Sequence, residues 1–146
     1  MEAVESSTII NVPAATAYER WQRWEDFPQF MEGLTEVQRL DDTHFAWKWE
    51  LHGHKKESVS EITLQIPNQR IAWRSISGAE NSGVVSFEPV DETKTKISLS
   101  FKYTKEGEWD TVEALSARLR NNLAGFKKLI EGSAIEDIVE NNWQGF

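Results

Sequence analysis

Residues 71–90 read IAWRSISGAENSGVVSFEPV. Two short runs of alternating residues flank a polar, small-residue middle, which is the pattern of a β-hairpin. Ile71, Trp73 and Ser75 fall on one side of the first run, and Val85 and Phe87 on one side of the second. Arg74 alternates with Trp73 and is therefore expected to face solvent. Gly83 is expected to permit the turn, Pro89 to end the second strand, and Trp73 and Phe87 to face inward. A hairpin cannot bury two large aromatic rings alone, so the residues on either side must supply more strands and a cover.

The flanking sequence supplies both. Before the hairpin, "THFAWKWEL" alternates Phe45, Trp47, Trp49 and Leu51 with Ala46, Lys48 and Glu50, as a strand with one wet face does. "KESVSEITLQI" places Ser58, Ser60, Ile62, Leu64 and Ile66 on one face. A shorter strand, "TEVQRLD", precedes them, and the turns fall at Asp41–Asp42, at "HGHK" with its glycine, and at "PNQ". After the hairpin, "DETK" turns the chain. "TKISLSFKY" then lines Thr95, Ile97, Leu99, Phe101 and Tyr103 on one side. At the other end of the chain, residues 3–11 alternate Val4, Ser6, Thr8 and Ile10. Pro13 suits a helix start, and Ala17, Tyr18, Trp21 and Trp24 recur at helical spacing. Pro28 is expected to open a second short helix, "PQFMEG", that Gly33 ends. Roughly residues 108–131 form the longest element, with Val112, Leu115, Leu119, Leu123, Phe126 and Ile130 in one stripe and Gly132 as its C-cap.

The order is strand, two short helices, six strands, one long helix. It predicts an α+β domain in which seven antiparallel strands curve around the long C-terminal helix, a helix-grip arrangement. The domain is expected over residues 1–132. Residues 133–146 are expected to form a tail or short helix, whose amphipathic turn Ile135, Ile138 and Val139 permit and which Trp143 and Phe146 could dock. A strongly bent sheet leaves space between itself and the helix, where a small apolar ligand would sit.

Composition narrows the function classes. The 146 residues carry 16 Lys and Arg against 24 Asp and Glu, a net charge of -8, which argues against a nucleic-acid partner. There is no cysteine, so disulfides, thiolate nucleophiles and thiolate metal sites are excluded. The start of the chain has no basic-then-apolar leader, and no segment reaches the ~20 apolar residues of a membrane span, so a cytoplasmic protein is expected. His52 and His54 are two apart, but Gly53 makes their segment a turn. His44, the third histidine, lacks a clear carboxylate partner, so no metal is expected, and no cofactor motif is present. No G-x-S-x-G occurs and no inward histidine activates Ser58, Ser60 or Ser75, so no catalytic residue is assigned. Thr8, Tyr18, Ser60, Ser75 and Tyr103 are the inward hydroxyls that could polarise a carbonyl.

Three stretches carry a family resemblance: "IINVPAATAYERWQRWEDFPQFMEG", "IAWRSISGAENSGVVSFEPV" and "LRNNLAGFKKLIEG". They resemble the polyketide cyclase/dehydrase family of the START-like superfamily, over about residues 3–132. The match lies in the strand ending in a small residue and proline, the "FPQF" segment, the "W-R" strand leading to "G-x-V-x-F-x-P", and Leu123, Phe126, Lys127 and Glu131 of the last helix. That superfamily includes cyclases, lipid carriers, quinone-binding proteins and hormone receptors. The resemblance implies a cavity between sheet and helix. The candidate ligand-binding residues are Trp47, Trp49, Ser60, Trp73, Ser75, Phe87, Phe101, Tyr103, Leu119, Leu123 and Phe126. The expected partner is a small hydrophobic molecule: aromatic, polyketide-like, quinone or lipid. The alternatives are an aromatase/cyclase or dehydratase, and a protein-interaction module or homodimer, related to quinone- or ribosome-associated START-like proteins, in which the tail and those of the seven tryptophans left over from the core would form an exposed docking patch.

Overall fold

The computed structural model describes residues 2–31, 33–51, 53–78, 80–103 and 111–144, with the side chains of residues 2, 51 and 133–144, Leu51 among them, lying outside the described ones. The described residues form strand β1 (Glu2–Ile10), helix α1 (Ala14–Trp21), a 3-10 turn (Trp24–Gln29) and strands β2 (Leu34–Arg39), β3 (His44–Leu51), β4 (His54–Ile66), β5 (Arg70–Gly78), β6 (Asn81–Asp91) and β7 (Lys94–Tyr103). Helix α2 (Val112–Gln144) follows. The seven strands make one antiparallel sheet in the order β1-β7-β6-β5-β4-β3-β2, so only the pairing of β1 with β7 departs from a simple meander.

Alternation sets which side chains point inward. Ile10, Phe45, Ile71, Val85, Phe87, Ile97 and Leu99 are buried on the concave face. The convex face carries exposed ion pairs such as Arg74–Glu61 and Lys48–Glu36. Arg74 therefore faces solvent as expected. Three elements cover the concave face: α1 lies over β6 and β7, the 3-10 turn lies over β2, and α2 runs along β1. Thr111 caps α2 by accepting the Ala114 amide on Oγ1 at 3.0 Å. Farther along, Lys127 Nζ donates to the Ile9 carbonyl at 2.6 Å, and Glu131 accepts from both Asn11 nitrogens. These bonds clamp α2 to the end of β1.

Several expectations are corrected. Gly132 does not cap α2, which continues unbroken to Gln144; a single glycine lowers helix stability by only about 1 kcal/mol relative to alanine and stops nothing by itself. Pro28 lies inside the 3-10 turn rather than opening a helix, because that turn has already begun at Trp24. The register of β4 slips between Ile62 and Leu64. This bulge reverses the alternation, so Leu64 pairs with Ala72 and is exposed, while Gln65 pairs with fully buried Ile71 and, itself still exposed, reaches toward α1. Gly83 makes no turn either. It lies within β6 opposite Trp73, whose ring occupies the place a Cβ would take. The turn glycine is Gly78, at φ +79°, and a Cβ there would strike the Glu57 carbonyl. Pro89 does not end β6, which runs on to Asp91 through a bulge. His44 does have a carboxylate partner, Asp41, at 2.8 Å. His52, Trp109, Phe146 and the side chains of Ile135, Ile138, Val139 and Trp143 lie outside the described residues.

Candidate functional site

The concave face divides into two unlike parts. At one end, α1 and the 3-10 turn press a chain of aromatic rings onto β3 and α2. Trp21 meets Phe27, Phe87 and Phe126 edge-on, with ring centroids 5.2, 6.4 and 5.0 Å away. Trp24 meets Phe27 and Phe45 at 5.0 and 4.5 Å. Trp47 lies 6.2 Å from Trp24 and 6.3 Å from Phe45, and Trp49 stacks on it at 6.4 Å. Gly125 lets α2 approach, since a Cβ there would lie 2.9 Å from the Phe30 Cβ. Ring contacts of this kind fill volume with specific geometry.

The other part lies over the middle of the sheet and carries small residues. Ser58 of β4 faces Trp47 on one side and Gly78 on the other. Ser60 sits between Phe45 and Ser75. Trp73 faces Ile62 and Gly83, and Gly83 faces Phe101. A strip of serine and glycine thus crosses β4, β5 and β6 between larger rings. Phe101 stacks on Tyr103, with centroids 6.3 Å apart.

The candidate residues separate along this division. Phe87 and Phe126 belong to the aromatic end, where Phe87 also meets Tyr18. Leu119, Leu123 and Tyr103 are buried. Trp49, Trp73, Ser75 and Phe101 are half-buried and keep accessible surface. Trp47 joins the two parts: its ring packs in the aromatic chain, yet its buried Nε1 has no hydrogen-bond partner in the protein. Ser60, 1% exposed, likewise has an unpartnered Oγ. Ser75 Oγ accepts the Asn81 amide at 3.0 Å and still has its own proton to give. The Tyr18 hydroxyl accepts from Gln65 Nε2 at 2.8 Å, which ties α1 to β4. Thr8 is half-buried on β1.

Two features went unread in the sequence. Asn122 is buried on α2 between Leu119 and Leu123; a polar residue three places after a stripe leucine was the available signal. Gln65 reaches the Tyr18 hydroxyl only through the β4 bulge, which no pattern announces. None of the five tryptophans with a described side chain is exposed, three being buried and two half-buried. Two carboxyls, Asp41 and Asp91, are held below the ordinary carboxylate range, first by accepting the backbone N–H of Thr43 and Thr93 respectively. Both sit in exposed hairpin turns. Among the described residues, no group of three or more His, Cys, Asp or Glu could hold a metal ion, and no helix is long and apolar enough to cross a membrane.

Comparison with known proteins agrees with this architecture. A family model described as polyketide cyclase / dehydrase and lipid transport matches residues 10–127. A 17.2 kDa uncharacterized protein of Streptomyces lincolnensis is 36% identical over 150 residues, covering 99% of this chain and 98% of its own. A crystal structure from Deinococcus radiodurans superposes with a TM-score of 0.73 at 30% identity, over 90% of this chain and 99% of that one. The Zhui aromatase/cyclase from a Streptomyces species shares the fold, with a TM-score of 0.69 at 17% identity over 94% and 95% of the two chains.

Proposed function

The chain belongs to the polyketide cyclase / dehydrase and lipid transport family, and from that membership we propose that it binds a small hydrophobic molecule between the middle of the sheet and α2. One observation carries this reading: on the concave face, Trp73, Ser75 and Phe101 retain accessible surface beside a fully buried serine whose hydroxyl has no protein partner. Unfilled apolar contact and an unpaired buried hydroxyl each destabilise the fold, and here the two occur side by side, as they would where a ligand supplies both the contact and the partner. The ligand face then consists of Trp73 and Phe101 as flat apolar walls, with Trp49 at one margin and Ser60 and Ser75 as polar points. Phe87, Leu123 and Phe126 act behind it as support.

Mass spectrometry of the purified protein, first native and then denatured, tests the proposal. A small molecule held in the native spectrum and released on denaturation supports it. A protein that is empty on purification and takes up no member of a panel of flat aromatic compounds, quinones and fatty acids overturns it.

A second reading, cyclisation or dehydration of a polyketide-like substrate, is favoured by the same buried hydroxyl. A fixed donor in a dry site polarises a carbonyl better than water does. Incubation with a linear poly-ketone thioester separates the two readings. Formation of an aromatic product supports catalysis, whereas retention of unchanged substrate assigns the chain to carriage.

A further inference from the structure

We infer that Ser60 and Trp47 form a donor subsite that fixes an uncharged hydrogen-bond acceptor, such as a ketone or quinone oxygen, and that the site discriminates against carboxylates. The inference rests on the binding reading above and specifies what that site selects.

Four buried side-chain atoms among the described residues lack a partner in the protein: Arg20 Nε, Trp21 Nε1, Trp47 Nε1 and Ser60 Oγ. The first two lie on α1. The last two lie on the concave face of adjacent strands, where Trp47 pairs with Ser58 and Ser60 comes one pleat further along. Such diagonal positions are about 7–8 Å apart, within the span of one small ligand. An indole N–H can only donate, so the group it awaits must be an acceptor. Native proteins leave few buried polar groups unpaired, and two neighbouring ones on the concave face point to a shared purpose.

Charge decides which acceptor fits. The inward neighbours of Ser60 are Phe45, Trp47, Ser58, Ile62, Trp73 and Ser75, and all are neutral. The nearest inward cation on the same strand is Lys56, opposite Trp49 and engaged with a partner of its own. Four residues of strand place it about 13 Å from Ser60. At the rim, Arg39 is held by the Asp41 carbonyl and the Asp42 carboxylate. On α2, Arg118 is half-buried and likewise engaged. A carboxylate at Ser60 would lose its hydration and gain no counter-charge, whereas a ketone gives up far less.

Equilibrium dialysis of the full chain with three probes of one skeleton tests this: 2-acetylnaphthalene, 2-ethylnaphthalene and 2-naphthoate. The wild type is expected to bind the ketone about three- to tenfold more tightly than the ethyl compound, the worth of one neutral hydrogen bond. It is expected to bind the carboxylate at least about tenfold more weakly than the ketone. Ser60→Ala should remove most of the preference for ketone over ethyl, read as the ratio of the two dissociation constants in the same variant. Trp47→Phe, which keeps an aromatic ring and loses the N–H, should act in the same direction.

Equal binding of ketone and ethyl compounds would overturn the donor subsite while leaving the apolar site intact. Tight 2-naphthoate binding would overturn the charge selection and direct attention to Lys56 or Arg118. Failure of all three probes would overturn the binding reading itself.

Discussion

The two ends of the concave face use the same kind of residue for different ends. Beneath α1, Trp21 is 1% exposed and touches aromatic rings on several sides. Over the middle of the sheet, Trp73 lies against a glycine and keeps accessible surface. Both are tryptophans on inward faces. What differs is the partner: a helix that brings its own bulky side chains, or strands that present serine and glycine. An aromatic ring becomes core or ligand wall according to what the opposite element supplies.

Replacing each ring with alanine tests that contrast most strongly. Trp21→Ala is expected to cost about 3–5 kcal/mol, the range for deleting a fully packed aromatic side chain. Trp73→Ala should cost less than half as much, about 1–2 kcal/mol, since part of its surface has no packing partner to lose. Urea unfolding with linear extrapolation measures both. Equal losses would show the strip to be packed as tightly as the aromatic end, and the ligand reading would fall with that result.

Glycine substitutions sharpen the same comparison at smaller cost. Gly83→Ala forces its Cβ into the Trp73 ring. The indole must move, so a loss of about 1–3 kcal/mol is expected, accompanied by weaker ligand uptake. Gly125→Ala meets the Phe30 Cβ at 2.9 Å in the sealed end. There the clash is offset by about 1 kcal/mol of helix propensity. That variant should lose less stability and bind ligand as the wild type does. If Gly125→Ala impairs uptake as much as Gly83→Ala, the two regions are one mechanical unit.

How much of this was legible beforehand follows from where the signals are local. The alternation of Trp47 with Lys48 and Trp49 with Glu50 is local, and so was the sheet. The helical stripe from Val112 to Ile130 is local, and so was its cover. The bulge at Ile62–Leu64 depends on how β4 meets β5, and therefore Leu64 was placed on the wrong face. The purpose of Gly83 depends on a ring ten residues away on the neighbouring strand. Most of all, the division of the eleven candidate residues into walls and supports depends on whether a helix or a serine strip lies opposite. Phe87 and Phe101 have identical signatures in the sequence. Only the packing of Tyr18 and Trp21 onto Phe87 separates them.

Two buried hydroxyls extend the comparison to polar groups. Thr95 is fully buried and its Oγ1 donates to the Val12 carbonyl at 2.8 Å. Thr95→Val should therefore cost about 1–2 kcal/mol, because a buried carbonyl loses its donor. Ser60 has no protein partner to abandon. In the ligand-free protein, Ser60→Ala should be neutral or stabilising by up to about 1 kcal/mol, while its ketone binding declines. A Ser60→Ala variant destabilised as much as Thr95→Val would assign the serine to structure.

The smallest effect lies outside both regions and serves as their control. Asp41 and Asp91 build matching turns in which the carboxylate accepts from the N–H and hydroxyl of the threonine two residues on. Both carboxyls are held below their ordinary value of 3.8, chiefly by those threonine N–H groups. A lowered folded value means that the stabilisation is present above the unfolded carboxylate's titration. It disappears as pH falls through the folded one. Replacing both residues by asparagine keeps an acceptor oxygen in each turn and removes the titrating charge. The urea midpoint of the double variant should lie slightly below the wild type's at about pH 5 and converge with it as pH falls through the lowered titration range of the folded carboxylates. A gap that persists unchanged through that range would assign the contribution to turn geometry rather than charge. Ligand uptake should be the same in both proteins at about pH 5, since neither turn belongs to the concave strip; a change there would mean that the hairpin turns reach the site through the strands, and the division between wall and support would have to be redrawn.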